Sequence, residues 1–306
     1  MFKYTLKRIC SMLVTLFIIA TATFFLMHSI PGGPFTRERV LPPEVEKALN
    51  EKFNLDAPLW KQYVDYLGDV TQGDLGPSFQ KTGVRVNDMI GQGFPVSAKV
   101  GLLAVLFVLL IGIPIGIVSA LKQNTAIDYM VMVIATIGVT IPSFVVGAFI
   151  MYVFGEKLGV IPAGGLASWK GYIGPVIALA GFSVAFVTRL MRSSMLEVLR
   201  QDYIRTARAN GLSKIRVIGK HALKNALIPV VTYVGPMVAS ILTGSFVVEK
   251  IFAIPGMGKY FVESVGNRDY TVIMGMTLFY AAIYVVMVFV VDISYALIDP
   301  RIKLQD

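Results

Sequence analysis

Six long apolar stretches alternate with polar connections along the chain. A helix needs about 20 mostly apolar residues to cross a hydrocarbon core about 30 Å thick. Six stretches are long enough, at approximately residues 9–30, 100–120, 129–154, 173–190, 228–248 and 271–298. The charged or ionisable side chains inside them, His28, Arg189 and Asp292, fall near their ends, because burying charge in lipid is costly. The pattern predicts an all-α integral membrane protein of about six transmembrane helices.

The composition supports this interpretation and limits others. Hydrophobic residues make up 55% of the 306 residues and charged residues only 15%. The net charge of +9 could indicate a nucleic-acid partner. In a membrane chain, however, excess cation usually marks the cytoplasmic loops, so we expect no nucleic acid. With Cys10 as the one cysteine, an intrachain disulfide is excluded.

The first apolar stretch resembles a signal peptide in part, because it follows Lys3, Lys7 and Arg8 and contains Ala20-Thr21-Ala22, a possible small-residue cleavage site. The apolar run continues beyond this site, although the h-region of a signal peptide normally stops sooner. An uncleaved first span is therefore expected.

The distribution of Lys and Arg predicts the orientation in the bilayer. With the N-terminus inside, fifteen fall in the short inner connections and five in the short outer ones. We expect both termini to be cytoplasmic. The predicted divisions are residues 1–30 for the N-terminal tip and first span, 31–97 for a periplasmic segment, 98–298 for the core with five spans, and 299–306 for a cytoplasmic tail.

Residues 31–97 are expected to form a small ordered cap. Pro42 and Pro43 open an amphipathic stretch that includes Val45, Leu49 and Phe53, and residues 73–77 read as a turn. Aromatic residues between them supply apolar area that disordered chains usually lack, which makes a flexible linker the less favoured alternative.

The sequence offers no catalytic constellation. Gly219-Lys220-His221 and Gly258-Lys259-Tyr260 lack the serine or threonine and the earlier glycine of a nucleotide-binding loop. His28 and His221 fall on opposite sides of the membrane, so they cannot share a metal site. We therefore expect no enzyme activity and no bound cofactor or metal, and any ATP hydrolysis must come from another chain.

Two features of the spans allow more than one interpretation. Gly112 and Gly116 form a small-residue pair one turn apart, which could serve as a dimerisation face. Pro114 and Pro142 free backbone carbonyls and kink their helices, which shapes packing or provides a hinge.

The segment around residues 191–226 is basic and amphipathic. Apolar residues alternate with Arg192, Glu197 and Arg200, and Gly211 is placed to stop a helix that Ser213 could restart. Two short helices joined at a glycine would form a rigid projection for a partner groove. A basic loop that only sets topology is the alternative.

At this segment the chain resembles the inner-membrane permeases of ABC importers, the binding-protein-dependent transport system inner-membrane component family. Their loop motif is Glu-Ala-Ala, three residues, then Gly. Ala207 and Gly211 match it, while Arg205 and Thr206 replace its first two residues. The peptide branch carries this Arg-Thr-Ala form, and the chain is most similar to the B-type subunits of oligopeptide permeases. The matching runs are 34–39, 73–79, 94–99, 120–124, 205–209 with 211–212, 221–224, 243–249, 254–258, 267–270 and 298–300.

This resemblance implies a type I ABC importer permease in the inner membrane of a bacterium. It would pair with a second, C-type permease, two cytoplasmic ATPases carrying ATP and magnesium, and an external peptide-binding protein. Dipeptide, murein peptide, glutathione and nickel importers are the alternatives within the family, and a secondary carrier or channel is the alternative from another class. The expected ATPase-docking residues are Tyr203, Arg205, Thr206, Ala207, Arg208, Gly211 and Leu212. Candidates for lining the pathway are Ser240, Thr243 and Ser245.

Overall fold

The computed structural model describes residues 2–35, 42–242 and 246–298. These residues are helical over most of their length, as the apolar pattern predicts, since only helices or closed barrels satisfy the backbone inside lipid. The helices are α1 Phe2–His28, α2 Pro43–Lys52, α3 Leu59–Thr71, α4 Val86–Leu121, α5 Ala126–Thr140, α6 Ser143–Ile150, α7 Lys170–Leu199, α8 Asp202–Ala209, α9 Lys214–Arg216, α10 Leu223–Ala226, α11 Ile228–Leu242, α12 Phe246–Ile251, α13 Met257–Asn267 and α14 Tyr270–Ile298. Two π-helical turns, Met151–Lys157 and Val217–Ala222, continue α6 and α9.

The described residues contain between four and six apolar spans. Four helices are individually long and apolar enough to cross a bilayer, within α1, α4, α7 and α14. Two bent helix pairs, at 126–157 and 214–242, are long and apolar enough only when their two helices are taken together, and the number of spans is six if each pair is one span. The helices differ most from the predicted stretches at two places: α4 begins at Val86, well before residue 100, and α7 extends past residue 190 to Leu199.

The third span is broken at Pro142. Its two helices meet at an angle of 101°, a far larger change of direction than a simple kink. Proline has no N–H to continue the helix, and it disfavours helical geometry in the preceding residue. Ile141 is accordingly extended, with ψ 123°, and α6 begins directly after Pro142.

The chain divides into two units. The first comprises residues 1–96, 255–289 and 296–306. Its apolar core is built from α4, α13 and α14, with Val86, Met89, Met257 and Met276 among its buried members.

Asp269 fixes the start of α14 inside this first unit. Its carboxylate is 3% exposed and accepts hydrogen bonds from the Ser78 hydroxyl and from the backbone N–H of Phe79, the latter at 3.1 Å.

The turn that the sequence predicts at residues 73–77 contains Gly73 and Gly76, both with positive φ. Helices α2 and α3 lie in the segment predicted to be a cap, and α4 runs through residue 97 without interruption.

The second unit comprises residues 97–254 and 290–295, and α7 contacts α5, α6, α11 and α12 within it. The glycine pair on α4 packs against α7 of the same chain. A Cβ at Gly112 would lie 3.1 Å from the side chain of Val187. A Cβ at Gly116 would lie only 2.7 Å from the backbone carbonyl oxygen of Thr188 and from the Met191 Cβ. Because α7 occupies this surface, the interpretation of the pair as a dimerisation face was wrong.

This contact predicts opposite effects for two glycine-to-alanine changes. Gly116→Ala should destabilise the protein by about 1–3 kcal/mol, because the new methyl overpacks α7. Gly181→Ala is the control: its Cβ would meet no atom within 4 Å, so the change should be neutral or stabilise by up to about 1 kcal/mol through helix propensity. Thermal unfolding in detergent measures both. Equal midpoints for the two variants would contradict the close contact.

Candidate functional site

The basic segment, residues 202–226, starts with a short amphipathic helix. In α8, Ile204 and Ala207 are buried, whereas Tyr203, Arg205 and Arg208 are exposed. The two buried residues are three positions apart and so lie on one face of the helix. The basic and aromatic side chains therefore remain on its accessible surface.

Gly211 makes the corner after α8. The helix ends at Ala209, the Gly211 N–H donates to the Arg208 carbonyl at 3.0 Å, and the Leu212 N–H donates to the Ala207 carbonyl at 3.3 Å. Gly211 has φ +75°, a conformation that costs little only for glycine. A Cβ there would meet no atom within 4 Å. The need for glycine is therefore conformational, and the space beside it is open.

The chain turns back through a second, irregular helix. Ser213 precedes α9, and its carbonyl accepts from the Val217 N–H at 3.0 Å, but its side chain makes no capping hydrogen bond. The π-helical turn 217–222 contacts α8. Asn225 Nδ2 donates to the Tyr203 hydroxyl at 2.7 Å. The helix before Gly211 and the helix after it are thus held together by these contacts.

Ile215 is a feature of this segment that the sequence interpretation missed. It lies between Lys214 and Arg216 and is 84% exposed. The sequence gives little signal for this exposure, because Val217 and Ile218 place other apolar residues within three positions of Ile215.

A buried ion pair lies at the base of the segment and was also missed. Asp128, 1% exposed, binds Arg192 in a bidentate arrangement, with Nε 2.6 Å from Oδ1 and Nη2 2.7 Å from Oδ2. The Ser119 hydroxyl and the Asn124 N–H complete its shell at 2.5 and 3.0 Å. Full hydrogen bonding is what makes a buried carboxylate tolerable.

This ion pair joins three helices. Ser119 is in α4, Asp128 in the first turn of α5 and Arg192 near the end of α7. Because α8 begins three residues after α7 ends, the ion pair holds in place the end of α7 from which the basic segment projects.

The remaining predicted residues are placed as follows. Thr206 is exposed and donates its hydroxyl to the Asp202 carbonyl at 3.1 Å. Leu212 is half-buried, and Ser240 is exposed on α11. Thr243 and Ser245 lie outside the described residues. Arg205 pairs with Asp202 at 3.4 Å, but both side chains are highly exposed, so the pair adds little stability.

Comparisons with known proteins identify the chain. Residues 112–304 match the family described as binding-protein-dependent transport system inner membrane component, and residues 1–102 match the N-terminal domain of such membrane components. The dipeptide transport system permease protein of Bacillus subtilis is 49% identical over 305 residues, 100% of this chain and 99% of the relative. The oligopeptide transport system permease proteins of Haemophilus influenzae and Escherichia coli are 45% and 44% identical, over 99% of this chain and 100% of each relative.

The chain belongs to the binding-protein-dependent transport system inner membrane component family. It is a multi-pass membrane permease component, and its resemblance to this family and its all-α type I fold are confirmed.

The buried ion pair predicts strong coupling between Asp128 and Arg192. Arg192→Gln alone should destabilise by about 3–5 kcal/mol, because it leaves a buried carboxylate without its cation. Combining it with Asp128→Asn should cost clearly less than the sum of the single changes. Thermal unfolding in detergent of the wild type, the two single variants and the double variant gives the coupling energy. Additive effects would show that the two residues act independently.

Proposed function

We propose that this chain is the permease subunit of an ATP-driven importer that carries oligopeptides into the cytoplasm, with dipeptides as the nearest alternative cargo. The observation that carries the proposal is similarity over the full length to permease proteins named for oligopeptide and dipeptide transport. The apolar spans and their few charges agree with it, because a pathway with few fixed charges suits peptides of differing sequence.

The proposed complex contains a second, C-type permease, two ATPases and an external peptide-binding protein. The sequence supports separate ATPases, because neither Gly-Lys pair at 219–220 or 258–259 has the pattern of a nucleotide-binding loop. ATP and magnesium would therefore be bound by the partner subunits. The excess of Lys and Arg supports cytoplasmic termini and a cytoplasmic basic segment.

The basic segment is the proposed contact with an ATPase. Tyr203, Arg205, Arg208 and Ile215 are exposed on it, and aromatic, arginine and buried apolar anchors contribute most to protein interfaces. ATP-driven closure of the ATPases would move this segment together with α7, to which the Asp128–Arg192 pair fastens α4 and α5. The pathway is proposed to open outward on closure and to reset after hydrolysis.

Ser240, Thr243 and Ser245 remain the proposed polar contacts of the pathway. The proposed divisions are also retained, with residues 31–97 as the periplasmic cap and 98–298 as the permease core. Exposure of Ser240 supports its assignment.

Gly211 provides the decisive experiment. Gly211→Trp should lower ATPase co-purification by about tenfold or more, which corresponds to a loss of about 1.4 kcal/mol of binding, and peptide uptake should fall with it. The indole would project into open space, so membrane insertion should be unaffected.

Gly211→Asn is the matched control, because asparagine tolerates positive φ and adds much less volume. It should retain most co-purification and uptake. Wild-type values for Gly211→Trp in both assays would contradict docking at this corner, and peptide flux by the isolated chain under an ion gradient would contradict an ATP-driven importer.

Ile215 predicts an effect on docking without an effect on folding. Ile215→Ser removes an apolar side chain that is already exposed, so thermal stability should change by less than about 0.5 kcal/mol. Loss of an interface anchor should nevertheless weaken ATPase co-purification several-fold. Ile127→Ser, an exposed isoleucine at the start of α5, is the control. Equal losses for the two variants would show that the effect is not specific to the basic segment.

The cargo is tested by competition for uptake. Labelled pentapeptide uptake by the assembled complex should be inhibited by unlabelled tetra- and pentapeptides more strongly than by dipeptides. Stronger inhibition by dipeptides would assign the alternative cargo, and inhibition by nickel or glutathione alone would contradict a peptide importer.

A further inference from the structure

Two adjoining cavities lie in the first unit, and they differ in chemistry. One, of about 310 Å³, has aromatic and acidic walls that include Phe24, Phe53, Asp65, Tyr66, Asp69 and Tyr270. The other, of about 540 Å³, is almost entirely apolar, with walls that include Leu13, Phe17, Leu67, Val70, Leu278 and Phe279. Leu75 lines both cavities. A polar compartment therefore adjoins an apolar one.

The cavities also differ in their position along the two spans that line them. The acidic cavity lies at the His28 end of α1 and the Tyr270 end of α14, where the apolar stretches stop. The apolar cavity is lined by residues 13–20 of α1 and 278–282 of α14. Along α14, the lining of the acidic cavity starts at Tyr270 and that of the apolar cavity at Leu278, eight residues later. At 1.5 Å per residue, this separation is about 12 Å. The acidic cavity thus lies at the height of lipid headgroups, and the apolar cavity at the height of acyl chains.

Two carboxylates of the acidic cavity have no hydrogen-bonded cation among the described residues. Asp65 and Asp69 are one turn apart in α3, an arrangement in which like charges repel. Neither makes a hydrogen bond or salt bridge through its side chain among the described residues, although Arg85 attracts Asp69 at longer range. Asp74 differs: the hydrogen bond from Arg85 lowers the pKa of its carboxyl, so it is charged and already paired. The cavity therefore keeps unbalanced negative charge.

The hydroxyl of Tyr270 is the second unexplained group. Tyr270 is 3% exposed and lines the acidic cavity, and its buried oxygen has no hydrogen-bond partner within the part of the chain that the structure describes. Such a group is costly unless something binds it. Across the cavity, burial raises the pKa of Tyr66 to about 12, against a smaller lowering effect of Thr23, so this phenol remains neutral.

His28 contributes a wall to the cavity rather than a ligand. Its Nδ1 lies 2.8 Å from the Phe24 carbonyl and its Nε2 lies 3.3 Å from Gln62 Oε1. Gln62 in turn donates to the carbonyls of Leu55 and Ala57 at 2.9 and 2.8 Å. The Nε2 contact joins α1 to α3, whereas the Nδ1 contact stays within α1. Both ring nitrogens are thus occupied, which leaves the carboxylates and the Tyr270 hydroxyl to bind a ligand.

These groups select an organic cation over a metal ion. Among the described residues, no cluster of three or more His, Cys, Asp or Glu side chains could hold a metal. Aromatic faces attract ammonium groups, and carboxylate and phenol oxygens accept their N–H groups. The adjoining apolar cavity adds a place for a hydrocarbon chain.

We propose that the two cavities together bind a membrane lipid with an ammonium headgroup. The ammonium lies by Asp65, Asp69 and the Tyr270 hydroxyl, and one acyl chain fills the apolar cavity between α1, α3 and α14. This lipid would join α3 to the two spans. The proposal does not depend on the transported cargo or on the ATPases.

The test uses the full-length chain, purified in detergent with the subunits that accompany it and then stripped of lipid. Phosphatidylethanolamine and phosphatidylglycerol with identical acyl chains are titrated separately, and bound lipid is counted by native mass spectrometry. We expect one saturable phosphatidylethanolamine per chain and at least about tenfold weaker binding of phosphatidylglycerol. Free ethanolamine should bind more weakly than the intact lipid.

Headgroup variants test the acidic cavity. Asp65→Asn with Asp69→Asn, and separately Tyr270→Phe, should each weaken phosphatidylethanolamine binding several-fold. Asp56→Asn is the matched control, because Asp56 is an exposed acid of the same segment that does not line the cavity. The aspartate variants alter exposed side chains, so they remain informative if Tyr270→Phe fails to fold.

Chain variants test the apolar cavity. Ala282→Trp fills it and should weaken the intact lipid but not free ethanolamine. Val286→Trp adds similar bulk one turn along α14 at an exposed position outside the cavity and should have no effect. Equal binding of the two lipids, absence of saturable binding, or free ethanolamine binding as tightly as the intact lipid would each overturn the proposal.

Discussion

The structure depends on the cost of placing an unpaired polar group in hydrocarbon. Each backbone N–H and C=O in a span needs a partner, and helices provide it internally. The constraint holds even where the third span breaks: the Ile141 N–H donates to Ile137 at 3.1 Å, and the Val145 N–H donates to Pro142 at 3.0 Å. The same cost applies to the buried carboxylate of Asp128, whose two oxygens are both occupied by hydrogen bonds.

Close helix contacts follow from the same environment. Lipid tails are as apolar as leucine, so helices associate through van der Waals packing and hydrogen bonds rather than through the hydrophobic effect. Glycines on α4 and α5 provide this packing in the second unit, since Gly112, Gly116 and Gly138 all face residues of α7. The Thr188 hydroxyl adds a hydrogen bond to the Gly112 carbonyl at 3.3 Å. Helix α7, which leads into the basic segment, is thereby held along much of its length.

Local patterns in the sequence predicted local structure well. The apolar stretches coincide with the four long spanning helices and with the two bent helix pairs that would bring the number of spans to six. The prediction that Gly211 stops a helix agrees with its positive φ directly after α8. What could not be predicted depends on contacts between distant residues. The sequence prediction puts Asp128 just outside a span. The residues next to it in the sequence do not indicate that it forms an ion pair with Arg192, which is 64 residues away. Two of the runs that resemble peptide permeases, 73–79 and 267–270, meet through Ser78 and Asp269, which no local pattern reveals. The 101° angle of the bend at Pro142 also could not be predicted, because a proline marks a break without setting its angle.

The corner at Gly211 has a consequence for the kinetics of assembly. Its conformation is fixed by hydrogen bonds within the chain at Arg208 and Ala207 and by the Asn225–Tyr203 contact, so it exists before any other protein arrives. A partner that binds there loses little conformational entropy on the permease side. If the proposed ATPase contact forms here, association with such a preformed surface would be limited by diffusion and orientation rather than by a folding step, and the basic residues would speed encounter with an acidic partner at low ionic strength.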